Sequence, residues 1–117
     1  MTIQECYEVM GGDYKGVMAR LLKEDRVAHF LGKFKNDSML EPLETSLAAK
    51  NYEDAFRAAH NLKGVCQNLG IIKLADSSSE LCEMVRNGEP AEDITPYLEA
   101  VREDFSVTIK ALEQALQ

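Results

Sequence analysis

The stretch "AAHNLKGVCQNLG", residues 58–70, decides how this chain is read. At 100° per residue, Ala55, Ala59, Leu62, Cys66 and Leu69 gather on one side of a helix, and that side is the core face. His60, Lys63, Gly64, Gln67 and Phe56 fall on the flank and beyond it, toward solvent, while Asn61 and Asn68 take the opposite flank. Asn51 with Asp54 starts the helix, and Gly70 closes it as a left-handed cap. An exposed imidazole in the middle of a rigid helix follows. Lys63 lies one turn on, close enough to reach an anion held on the ring. Gly64 costs the helix about 1 kcal/mol and leaves a bare patch of backbone beside His60. Phe56, one turn before, adds apolar surface, as a docking anchor or as a rim residue covered by a neighbouring helix.

Helix signals continue outward in both directions. Thr2-x-x-Glu5 forms a capping box for a short helix that Gly11 and Gly12 close. Asp13 caps a second short helix ending near Leu22. Asp25 is expected to cap a third, with Val27, Phe30, Leu31 and Phe34 at helical spacing. Residues 36–38 interrupt it, and Ser38-x-x-Glu41 is expected to form another capping box. The next helix turns Leu40, Leu43 and Leu47 inward, with Pro42 near its first turn, where a missing N–H costs little. Residues 72–86 form a helix with Leu74, Ser78, Leu81 and Val85 on one face, ended by Asn87 and Gly88. The last helix begins near Thr95-Pro96, as a cap followed by proline, or a turn earlier at Ala91. Its stripe is Leu98, Val101, Phe105, Ile109, Leu112 and Leu116.

No strand-like alternation, repeat or low-complexity tract interrupts this pattern. The fold class is all-α: an antiparallel four-helix bundle (25–117) behind a short N-terminal helical segment (1–24), together one domain. A chain of 117 residues with 45% apolar composition supplies one core. The net charge of −7 repels phosphate backbones and anionic lipid, so neither nucleic acid nor membrane is an expected partner. The acidic run from Glu89 to Asp104 reads as a solvated helix face. Any anion chemistry needs a local basic spot, for which Arg57, Lys73 and Arg86 are available, although scattered surface charge explains them equally. Cys6, Cys66 and Cys82 are odd in number and widely spaced, which favours free thiols in a reducing cytoplasm. The N-terminus has no signal-peptide pattern and no segment has the length of a membrane span. A monomer in the cytoplasm is the expectation.

The pattern His-x-Leu-Lys-Gly-x-x-x-x-Leu-Gly, residues 60–70, resembles the histidine-containing phosphotransfer (HPt) domains of bacterial phosphorelays, as does the length of the chain. The resemblance is strongest over residues 53–86. It implies that His60 is phosphorylated, that Lys63 stabilises the phosphoryl group and that Gly64 is the steric opening. It also implies partners: a histidine kinase and the receiver domain of a response regulator, whose aspartate exchanges the phosphoryl group with His60. Phe56, Arg57 and Gln67 are the docking residues this places around the histidine. Members of the family often carry a glutamine or glutamate on the next helix that binds the other ring nitrogen. Here Ser79, Cys82 and Glu83 occupy that flank, and Cys82, which stands nearest the position, is a poor hydrogen-bonding substitute.

The chemistry agrees with that role. A neutral imidazole is nucleophilic near pH 7, and phosphoryl transfer asks mainly for positioning and charge stabilisation. The domain is expected to need no cofactor or metal of its own, and to be a phosphocarrier without autonomous kinase activity. His29 has no comparable neighbours and reads as an ordinary helix residue. The alternative is a helical docking module that binds or inhibits a signalling protein with His60 unphosphorylated. A hydrolase is disfavoured, because no second acid, base or metal cluster accompanies His60.

Overall fold

The computed structural model describes residues 1–116, in which seven helices and no strand occur. They are α1 (Ile3–Met10), α2 (Tyr14–Leu21), α3 (Glu24–Asn36), α4 (Leu40–Ala48), α5 (Tyr52–Leu69), α6 (Ile72–Met84) and α7 (Thr95–Ala115). The seven reduce to a four-column bundle because α3 and α4 lie end to end along α5. Phe30, Lys33 and Phe34 of α3 share a groove with Val65, Asn68 and Leu69, the C-terminal half of α5. Pro42, Thr45 and Ser46 of α4 line another with Asp54, Ala58 and Asn61, the N-terminal half. The broken column therefore runs antiparallel to α5. The short turns on either side of α5 make its neighbours antiparallel too, and α7 returns beside α6. α1 packs on α7, so Cys6, Tyr7 and Met10 share one core with Leu62, Leu81, Val101 and Leu112.

Local sequence accounts for most helix starts. Thr2 accepts from the Glu5 N–H at 3.0 Å, and the Glu5 carboxylate accepts from the Thr2 N–H at 2.9 Å, completing the box. Asp13 accepts from Gly16 N–H at the start of α2, and Asn51 from Asp54 N–H at the start of α5. Three expected caps are corrected. Lys23, not Asp25, precedes α3; Asp25 lies in the first turn with Glu24, where both carboxylates favour the positive end of the helix dipole. The Ser38–Glu41 box does not form: Met39 precedes α4, and the Glu41 N–H donates to the main-chain carbonyl of Ser38. Thr95 is the first residue of α7 rather than its cap, because the Asp93 carboxylate accepts from both the Thr95 N–H and hydroxyl. α7 does not begin at Ala91. Phe30 departs from its expected inward face and is 40% exposed at the mouth of the α3–α5 groove.

The last turn of α5 leaves carbonyls without helical partners, and the N-terminal helices satisfy them. The Tyr7 hydroxyl, buried, donates to the Leu69 carbonyl at 2.6 Å, and the Asp13 N–H donates to the Gly70 carbonyl at 2.8 Å. The Arg20 guanidinium reaches the carbonyls of Gln67 and Asn68 at 3.0–3.2 Å. This contact is tight enough to dictate glycine on both sides. A Cβ on Gly12 would come within 2.7 Å of the Gly70 oxygen, and one on Gly70 within 2.9 Å of the Asp13 oxygen. Gly70 also holds a left-handed φ of 70°. Gly70→Ala is accordingly expected to lower stability by about 1–3 kcal/mol in urea denaturation; an unchanged midpoint would mean that the turn relaxes freely.

Candidate functional site

The inner face of α5 is completely enclosed: Ala55, Ala59, Leu62 and Cys66 have no exposed surface. Its outer face carries His60, Arg57 and Gln67 exposed, with Lys63, Gly64 and Phe56 half-buried along the edges. An 18-residue helix tied down along one side holds His60 near its middle with little freedom in the backbone.

Gly64 is open. A Cβ built there meets nothing within 4 Å, so the packing of this chain does not require glycine at that position. Gly32 in α3 is equally open, and openness alone therefore does not single Gly64 out. What differs is the company. Lys63 enters no ion pair among the described residues. The Phe56 and His60 rings are stacked, with centroids 5.8 Å apart and planes 22° from parallel. Phe56 is half-buried and packs against the core, which leaves part of its ring accessible.

Arg86, one of the three residues the sequence offers for a local basic spot, joins this group. Its guanidinium lies over the Phe56 ring, 5.3 Å from the centroid, and makes a two-pronged pair with Glu83. Arg86 holds the Glu83 carboxyl below its ordinary range, first by hydrogen bonding and then by charge. The sequence reading carries the helix to residue 86, but α6 ends at Met84 and Arg86 lies in the turn just beyond it, three residues from Glu83; its reach across to Phe56 depends on how α6 packs on α5. Arg57, by contrast, is already paired with Glu53 and Asp54, and Lys73 stands 3.8 Å from Asp104.

No hydrogen-bond partner for either nitrogen of the His60 ring is found among the described residues. Cys82 is wholly buried and its Sγ lies 3.9 Å from the Phe56 carbonyl, not against the imidazole. Glu83 is engaged by Arg86, and Ser79 is half-buried without a hydrogen bond of its own. Among the described residues, no three His, Cys, Asp or Glu side chains gather as a metal site.

An exposed histidine in mid-helix, with an unpaired lysine and a bare glycine beside it, is now placed. Residues 29–117, well over half of the sequence, match the model of the Hpt domain. The chain belongs to the Hpt domain family. No match was found among curated proteins or among solved structures. Membership gives the chain a phosphotransfer role in two-component signalling, a family in which kinases and receiver domains are the interacting proteins. The matched region of this Hpt domain starts within α3, so the helices that grip the end of α5 lie outside it. No helix among the described residues is long and apolar enough to cross a membrane.

The three thiols are all buried and free. Burial pushes Cys66 up to about 12 and Cys6 up to about 11. It also raises Cys82, against the opposing charges of Lys63 and Arg86. Because a thiol reacts as the thiolate, all three are expected to resist iodoacetamide at pH 8 in the folded protein and to react once it is unfolded. Rapid labelling of Cys82 in the native state would show that the α5–α6 seam opens.

Proposed function

We propose that this Hpt domain is a phosphorelay intermediate that carries a phosphoryl group on His60 and exchanges it with an aspartate of a response-regulator receiver. The single observation behind this reading is the exposed His60 imidazole flanked by Lys63, which enters no ion pair among the described residues, and by Gly64, which presents nothing but backbone. An approaching receiver needs that space. In the forward step an imidazole nitrogen attacks phosphorus, the N–P bond forms as the acyl O–P bond breaks, and the aspartate leaves as carboxylate. Lys63 compensates the charge on the phosphoryl oxygens as they pass. This cation, outside the ion pairs of the described residues, favours an anion locally on a chain whose net charge is −7.

Gln67 and Arg57, exposed on either side of His60, are the proposed receiver contacts, together with the uncovered edge of Phe56. The initial donor is a histidine kinase, since the chain itself holds no nucleotide-binding motif. The proposed working form is a cytoplasmic monomer: one domain, with residues 1–24 as its helical extension and residues 25–117 as the bundle.

Two sets of variants test this. His60→Gln should abolish acid-labile, base-stable phosphorylation by a charged receiver without loss of helicity, while His29→Gln should label normally. Label retained in His60→Gln would end the proposal in favour of a docking module or another acceptor. Gly64→Leu should block transfer even though it removes a helix-weakening glycine. Lys63→Ala should slow transfer more than it weakens receiver binding; equal losses in rate and affinity would make Lys63 a docking residue only.

A further inference from the structure

An imidazole on an exposed helix face turns about two side-chain torsions, and the second has no sharp preference. Transfer nevertheless requires one nitrogen to point at phosphorus at close range and in line. Something must hold the ring, and the usual device is a hydrogen bond to one of its nitrogens. Here Cys82 is turned to the Phe56 carbonyl, Glu83 is taken by Arg86, and Ser79 makes no bond to the ring. The one defined contact of the His60 ring is its stack on Phe56.

Phe56 is itself fixed, unlike an ordinary surface aromatic. One edge packs against the core, and Arg86, held by Glu83, lies over the ring. Its main chain touches the Cys82 thiol of α6. The stack is thus anchored to two helices. We propose that Phe56 is a positioning residue for His60: the phenyl ring, in place of a hydrogen bond, sets the plane of the imidazole and leaves both nitrogens free. This rests on the phosphotransfer reading above.

The test compares the wild-type protein with Phe56→Leu, which keeps apolar bulk without the ring, and Phe56→Tyr, which keeps the ring. Three quantities are measured on each: the NMR shifts of the His60 ring protons with His29 as internal reference, the transfer rate from a phosphorylated receiver, and the melting temperature. The stack predicts His60 ring protons shifted upfield in the wild type and in Phe56→Tyr, and not in Phe56→Leu. It also predicts that Phe56→Leu transfers about tenfold more slowly or worse, a loss larger than any accompanying loss of receiver affinity or melting temperature, with Phe56→Tyr restoring the rate. A labelled wild type with Phe56→Leu at full rate, or with unaltered His60 shifts, overturns the proposal alone. So does a loss of rate that tracks melting temperature and that Phe56→Tyr fails to rescue. A wild type that takes no phosphoryl group overturns the phosphotransfer reading as well.

Discussion

The carbonyls at the C-terminal end of α5 are received by the N-terminal helices: Leu69 by the Tyr7 hydroxyl, Gly70 by the Asp13 N–H, and Gln67 and Asn68 by Arg20. The Tyr7–Leu69 bond is buried, where water cannot replace a lost partner, so it is costly to leave unmade. The clamp fixes where α5 stops and where α6 departs, and with them the direction of the whole outer face of α5. α1 and α2 occupy little of the chain, yet without α1 the buried Leu69 carbonyl would lose its partner. The two glycines at the contact, Gly12 and Gly70, are there because two backbones meet too closely for any side chain.

From that constraint comes the asymmetry on which the chemistry depends. Along the inner side of α5 small and branched residues are packed without exposed surface; along the outer side one position is left bare at Gly64 and one cation unpaired at Lys63. Most other exposed basic groups nearby are already matched. Arg57 has two acidic neighbours on its own helix, and Arg86 has Glu83. Such exposed pairs contribute little to stability.

What was legible in the sequence follows how local each determinant is. The start and end of α5 could be read because Asn51 and Gly70 act within a few residues of themselves, and the same holds for Thr2 and Asp13. Ser38 and Thr95 carried equally good local patterns and were misread. At Ser38 a main-chain turn takes the Glu41 N–H first; at Thr95 the neighbouring Asp93 supplies a stronger acceptor. Phe30 keeps helical spacing with Val27 and Phe34, yet it stands 40% exposed beside the groove between α3 and α5. The histidine with its lysine and glycine was visible as a spacing along one helix. Arg86 over Phe56 was not, because it depends on the register of α6 against α5, and the Tyr7 and Arg20 contacts bridge residues distant in sequence.

Cleavage after Arg57 and after Lys63 releases the peptide spanning residues 58–63, which contains His60 and no hydroxyl or carboxylate side chain. Tandem mass spectrometry of that peptide at neutral pH, after incubation with a phosphorylated receiver, is the most direct measurement of the central claim. The account predicts that residues 58–63 gain the mass of one phosphoryl group, located on His60 and lost on acid treatment. A phosphoryl group found instead on the His29 peptide, residues 27–33, or an unmodified 58–63 peptide beside a receiver that has been emptied, would contradict it.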